Sequence, residues 1–105
     1  MANKPVCGSW QLIIEPRAQR DLKDFKKDKA LREKIAKGLE ELNADPLKEP
    51  EKEGDLKRIR AWRVNWSGAT YLIAYLVNFD EYTISVIQIG PHEGFYQRLK
   101  RYLYG

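Results

Sequence analysis

Seven residues near the end of the chain, Gly90-Pro91-His92-Glu93-Gly94-Phe95-Tyr96, bring together the side chains best suited to chemistry. They follow an apolar run and precede an amphipathic one, so they mark the end of a strand and the start of a helix. Helix starts present free backbone N–H groups and favour an anion. His92 can give or take a proton near neutral pH. Tyr96, four residues on, is expected one helical turn away, where it can stack a base or donate a hydrogen bond. Arg63 falls mid-strand, where a charge is at home only on an open face, and a guanidinium there can grip a phosphate in bidentate fashion. The three residue types suit cleavage of RNA without a metal. The nucleophile is then the RNA's own 2′-hydroxyl, and the protein positions the strand, moves protons and stabilises the pentavalent phosphate. Taken singly, each residue has a plainer reading: His92 as a surface turn residue, Tyr96 as packing at the sheet edge, Arg63 as surface charge.

Other chemistries find little support. The chain has no GxGxxG, P-loop, CxxC or GxSxG motif. One cysteine, Cys7, and one histidine, His92, do not make a metal site or an internal disulfide, so no metal and no cofactor is expected. The acids cluster in charged helical stretches and in one loop, which speaks against a catalytic carboxylate pair. At 105 residues, with 43% hydrophobic and 32% charged side chains, the chain reads as one globular domain over 1–105. No apolar run approaches the ~20 residues of a membrane span, and no signal-peptide pattern opens the chain, so a cytoplasmic location is expected. The net charge of +4 is uneven. Residues 43–56 hold two basic and five acidic side chains, whereas residues 57–105 hold seven basic and three acidic. Those seven include Lys57, Arg58, Arg60, Arg98, Lys100 and Arg101, and most of the aromatics share the segment. Basic side chains beside aromatics suit RNA.

The elements that must position these residues follow from periodicity. Residues 1–8 read as a frayed lead-in and Ser9–Ile14 as a short strand. Pro16 opens a first helix over residues 16–27, with Ala18, Leu22 and Phe25 on one stripe. Asp28 caps a second helix, in which Leu31, Ile35, Leu39 and Leu42 repeat, and Asn43-Ala44-Asp45-Pro46 ends it. Leu47–Asp55 is a charged loop long enough to be mobile. Ile59–Trp66, Ala69–Val77 and Tyr82–Ile89 are strands of a meander, with turns at Ser67-Gly68 and Asn78–Asp80. Gly90-Pro91 breaks the last strand, and Glu93–Tyr102 forms a short terminal helix. The fold class is α+β, β-α-α-β-β-β-α: a helical hairpin packed on one face of a four-stranded, mainly antiparallel sheet. Trp62 and Trp66 share a parity with Val64 and are placed under the helices, with Arg63 and Asn65 on the other face. That other face is expected to be partly open, a place for substrate or partner.

In this order the segments resemble the RelE/ParE superfamily of type II toxins, over roughly Trp10 to Tyr102. Ile14-Glu15-Pro16-Arg17-Ala18 with Asp21-Leu22 is similar to that family's strand-to-helix start, and Asp45-Pro46 fits the end of its second helix. Leu56-Lys57-Arg58-Ile59-Arg60-Ala61-Trp62-Arg63-Val64 and Tyr71-Leu72-Ile73-Ala74-Tyr75 resemble its basic strand pair. The most specific piece runs from Val86 to Tyr96: an apolar strand, a glycine, a basic residue or histidine, and a tyrosine a few residues later.

The resemblance implies a choice. RelE-like members cleave mRNA in the ribosomal A site without a metal, whereas ParE-like members poison DNA gyrase. His92 matches the family's basic or histidine position, Tyr96 its terminal tyrosine, and Arg63 a basic position on the first meander strand. Two departures stand out: Asn65 replaces the next basic position, and Leu72 replaces an arginine that holds the scissile phosphate. Retention of His92 with Tyr96 favours an mRNA-cleaving endoribonuclease that inhibits translation. The alternatives are a gyrase poison and a degenerate toxin fold that only binds an antitoxin. The resemblance further implies a cognate antitoxin with an acidic or amphipathic segment, which covers the basic face and moves or displaces the terminal helix, and contacts to mRNA and ribosomal RNA through that face.

Overall fold

The computed structural model describes residues 10–105. The lead-in, Cys7 and the expected strand start at Ser9 lie outside the described residues. The elements are β1 (Gln11–Ile14), α1 (Pro16–Asp24), α2 (Lys29–Ala44), a 3₁₀ turn (Gly54–Leu56), β2 (Arg60–Trp66), β3 (Ala69–Asn78), β4 (Thr83–Pro91) and α3 (Phe95–Tyr104). The sheet order is β1-β4-β3-β2. β1 runs parallel to β4, and the β2–β3 and β3–β4 pairs are antiparallel. This is the expected α+β architecture, with the helical hairpin α1–α2 on one face.

Local chemistry explains the helix limits. Pro16 occupies the first turn of α1, where its missing N–H costs nothing. α1 stops at Asp24 rather than residue 27, because the chain needs Phe25–Lys27 to turn: the Phe25 N–H tightens onto the Leu22 carbonyl and the Asp28 N–H onto that of Phe25. The Asp28 carboxylate then accepts the Leu31 N–H at 3.0 Å and caps α2 as expected. α2 ends at Ala44 ahead of Pro46.

The hairpin face holds the main core. Ala18, Leu31, Ile35 and Leu42 from the helices meet Trp62, Val64, Ile73 and Tyr75 from the sheet. α2 comes so close to β2 that a Cβ on Gly38 would lie 2.6 Å from Val64 Cγ2. Trp62 is buried here and Trp66 packs against the same cluster, as their parity requires.

The second face carries its own, smaller core. Phe95 and Leu99 of α3 cover Leu72, Ala74, Ile87, Ala61 and Ile59. The expectation of a partly open face therefore holds only toward the β2–β3 end, where Arg63 and Asn65 remain exposed. A β-bulge keeps the two faces chemically distinct. Tyr75 opposes Val86 but Ala74 opposes Gln88, so Ile87 is an extra residue. Strict alternation would place Gln88 with Ile84 and Val86 in the main core. The extra residue instead puts Gln88 on the α3 side and returns Ile89 to the main core.

Two boundaries differ from those expected. β4 does not break at Gly90-Pro91: it runs through them, with Leu72 opposite Gly90 and Tyr71 opposite Pro91. Proline is tolerated there because its missing N–H faces away from β3, on the side where β1 pairing has already ended at Val86; the next ladder donor is the His92 N–H. The terminal helix begins at Phe95 rather than Glu93 and extends to Tyr104.

Candidate active site

The turn that carries His92 is built by backbone hydrogen bonds. The His92 N–H donates to the Thr70 carbonyl at 2.8 Å, which extends the β3–β4 ladder by one residue. Its carbonyl accepts the Phe95 N–H at 3.1 Å. Gly94 then takes φ +69°, a left-handed conformation at which side chains are strained. A Cβ there would also lie 3.1 Å from the Arg98 guanidinium. His92 and Tyr96 are thus joined by a tight turn and the first residues of α3, not by one full helical turn. Their rings meet edge to face, 6.5 Å apart between centroids. His92 is exposed, and Tyr96 is half-buried against the smaller core and the Phe95 ring.

Arg63 completes the group. A cavity of about 380 Å³ is lined by Arg63, Thr70, Pro91, His92 and Glu93. A second cavity, of about 310 Å³, is lined by Arg63, Asn65, Leu72, Lys52 and Tyr96 among others. Arg63 is the residue the two share, with His92 in one and Tyr96 in the other. The structure therefore brings together the three residues expected to act, on the exposed part of the α3 face.

The basic residues expected around them divide sharply. Arg60 is committed to the loop before β2: it donates to the Glu49 carbonyl at 2.7 Å and lies 3.6 Å from the Glu51 carboxylate. Arg98 donates to the carbonyls of Glu93 and Pro91 at 3.0 and 3.3 Å, so it braces the His92 turn rather than standing free for RNA. Lys100 lies 3.7 Å from Asp55. Lys57, Arg58 and Arg101 are exposed. Leu72 is buried beneath α3 at 2% exposure, directly opposite Arg63 in the ladder. Asn65 accepts a hydrogen bond from the Thr70 hydroxyl at 3.2 Å. The two departures from the toxin pattern are thus part of the fold's own packing and pairing.

Two groups at the site have no mark in the periodicity of the chain. The first is the Leu47–Asp55 loop, expected to be mobile but held, together with Pro46 just before it. It is pinned at three points: the buried Tyr75 hydroxyl donates to the Pro46 carbonyl at 2.8 Å, Arg60 holds Glu49, and the Lys52 N–H donates to the Ile59 carbonyl at 2.7 Å. Burial pushes the Tyr75 hydroxyl far above the usual phenol range. The pinned loop lays Lys52 Nζ 5.3 Å from the centre of the Tyr96 ring and Lys48 Nζ 5.4 Å from that of Trp62, both cation–π distances.

The second group braces the site from behind. Arg17 donates twice to Gln88 Oε1, at 3.2 and 2.9 Å, and Gln88 Nε2 donates to the Phe95 carbonyl at 2.9 Å. A buried amide so connects α1 to the start of α3. Asp21 accepts the Ile89 N–H at 2.9 Å, beyond the end of β1. Burial raises the Asp21 carboxyl above its ordinary value, against the lowering effects of that hydrogen bond and of Arg17. Gln88 carried a readable signal: a lone amide in an apolar strand, on a parity that would bury it.

Comparison with known proteins places this geometry. A free-state mutant of the E. coli toxin RelE superposes with a TM-score of 0.65 at 23% identity, covering 88% of this chain and 96% of that one. The intact E. coli RelBE toxin–antitoxin complex gives 0.60 at 22%, covering 77% and 94%. The YoeB dimer from Staphylococcus aureus gives 0.60 at 18%, covering 79% and 97%. At these identities the likeness establishes the fold. No curated protein matches the chain. The family model described as ParE-like toxin of type II bacterial toxin–antitoxin system matches residues 12–100, nearly the whole described chain. The chain belongs to that family, within the RelE/ParE superfamily of toxins.

Proposed function

We propose that this toxin is a ribosome-dependent endoribonuclease that cleaves mRNA in the A site and so inhibits translation. The observation that carries the reading is the convergence of His92, Tyr96 and Arg63. One ring pair stands at 6.5 Å, and one arginine is shared by the cavities on either side. In the reaction the RNA 2′-hydroxyl attacks the adjacent phosphorus and gives up its proton. The P–O5′ bond breaks, and the 5′-oxygen takes a proton. The products are a 2′,3′-cyclic phosphate and a 5′-hydroxyl. His92, exposed at the cavity wall, is the group that exchanges protons. Tyr96 offers a ring face and a phenol to the RNA, and Arg63 neutralises the phosphate. The ribosome supplies the strand already extended and held, which explains how so small a set of groups can suffice.

An antitoxin partner accompanies this reading, since several of the similar structures are toxin–antitoxin complexes. Its bound segment is acidic or amphipathic and covers the basic face. A cytoplasmic location follows from a ribosomal target, and no described helix is long and apolar enough to cross a membrane. Primer extension on mRNA after brief induction tests the proposal. Discrete cuts within translated codons, lost when initiation is blocked, are expected. Intact mRNA in arrested cells would overturn it.

One observation favours a second reading. Leu72 is sealed in the smaller core and Asn65 is paired to Thr70, so the sheet lacks two of the cations of an RNA-cleaving toxin. A ParE-like gyrase poison needs neither. It predicts inhibited supercoiling and DNA breaks with purified gyrase, while His92→Ala leaves toxicity unchanged. Binding of an antitoxin with no effect on ribosomes or gyrase would instead mark a degenerate toxin.

A further inference from the structure

The sheet positions cannot supply a second phosphate-binding cation. Leu72 is buried, Asn65 is neutral, and Arg60 and Arg98 are spent on carbonyls of the chain. We propose that Lys52, from the loop before β2, is the second phosphate-binding cation of the site. The proposal rests on the ribonuclease reading for its substrate, a single RNA phosphodiester.

Three features support it. Lys52 is exposed, and among the described residues no carboxylate lies within ion-pair distance of its ammonium. Its stem starts from a fixed point, because the Lys52 N–H is bonded to the Ile59 carbonyl and Lys52 forms an isolated bridge with Lys57. Its ammonium stands 5.3 Å from the centre of the Tyr96 ring, in the cavity that Arg63 also lines. A phosphate entering there meets an ammonium and a guanidinium, with an aromatic ring beside it for a base. The cavity's charges favour an anion. Lys48, Lys52 and Arg63 are offset by Glu41 and Glu49, leaving a net charge of one, which matches one phosphodiester.

The test is a titration of the full chain with a 2′-O-methyl RNA pentanucleotide, which cannot be cleaved, followed by amide resonances at several salt concentrations. In the wild type the Lys52, Arg63 and Tyr96 resonances move on binding. Lys52→Gln weakens binding about tenfold and lowers the salt slope by about 0.7, the value for one phosphate contact on a single strand. Lys52→Arg keeps most of the affinity, and Lys27→Gln, on the turn between α1 and α2, changes it less than about twofold. Thermal melting of each variant checks that the fold is intact. Binding by Lys52→Gln equal to the wild type, or no shift at these residues in the wild type, overturns the proposal. The same variants in a ribosome cleavage assay separate the two readings. Unchanged kcat/KM for Lys52→Gln overturns the Lys52 assignment and leaves the nuclease standing. The expected titration with no cleavage by the wild type overturns the nuclease and leaves the phosphate site.

Discussion

The two faces of the sheet are held by different chemistry. The hairpin face is a continuous apolar cluster in which Ile35, Leu42, Ile73 and Ile84 are wholly buried. The α3 face has a smaller apolar patch stitched to its surroundings by polar contacts. Gln88 reaches the Phe95 carbonyl, the Arg17 guanidinium lies 4.4 Å from the centre of the Tyr102 ring, Lys100 approaches Asp55, and the Tyr104 hydroxyl donates to the Asp55 carbonyl. Apolar burial is worth about 25 cal/mol per Å² and needs no precise direction. Polar contacts contribute less net, least where they are exposed to water, but they fix direction. The face with the larger apolar core is thus separate from the face that carries the proposed site. The site lies where the smaller core stops short of the β2–β3 end.

That division is open to attack from either side. The largest expected effect falls on the site: His92→Ala lowers ribosome-dependent cleavage by about 10² to 10⁴-fold, the usual worth of an acid–base group, with the melting temperature unchanged. A parallel loss of stability would mean that His92 only holds its turn. On the other face, Ile35→Ala removes a fully buried side chain and costs about 2–5 kcal/mol in denaturant unfolding, with activity lost only as the protein unfolds. Gly38→Ala forces a methyl against Val64 and costs about 1–3 kcal/mol, outweighing alanine's better helix propensity. A neutral or stabilising result would show that α2 can move off β2.

Smaller effects sharpen the boundary. Tyr75→Phe leaves the buried Pro46 carbonyl without its donor and costs about 1–3 kcal/mol. Because the same bond pins the lysine-bearing loop, it also weakens binding of a non-cleavable RNA, which Ile35→Ala does not do below its melting point. Asp21→Asn is the mildest, within about 1 kcal/mol at neutral pH, since the amide oxygen can still accept the Ile89 N–H. Its sign depends on pH. The folded state holds the Asp21 proton more tightly than the unfolded state does, so the wild type gains stability relative to Asp21→Asn as pH falls through the raised pKa. That relative gain is lost again as pH rises toward neutrality. Melting both proteins from pH 7 down to 4 reads it directly.

The ease of reading these features from sequence follows the same division. Periodicity locates what apolar burial dictates: α2 from Leu31, Ile35, Leu39 and Leu42, its cap at Asp28, and the inward parity of Trp62 and Val64. The turn with His92 and Tyr96 was legible because a glycine–proline pair interrupts an apolar run. Features created by side chains reaching across the fold were not legible. No local pattern says that Arg60 turns back to Glu49, that Arg98 braces the His92 turn, or that Tyr75 pins Pro46 from the middle of the sheet. The Leu47–Asp55 loop looked mobile because its composition is charged, yet its anchors are Ile59 and Arg60 at the start of β2 and Tyr75 on β3. The β4 bulge hid behind the expectation of simple alternation, and the oddly placed Gln88 was its only trace.

In the proposed reaction the RNA supplies the nucleophile, while His92, Tyr96 and Arg63 supply proton transfer, contact with the RNA and charge. The most direct measurement is the end chemistry of mRNA cut by purified protein on programmed ribosomes. A 2′,3′-cyclic phosphate on the upstream fragment and a 5′-hydroxyl on the downstream one are expected, with both products lost in His92→Ala. A 5′-phosphate with a 3′-hydroxyl, or cutting undiminished in His92→Ala, would contradict it.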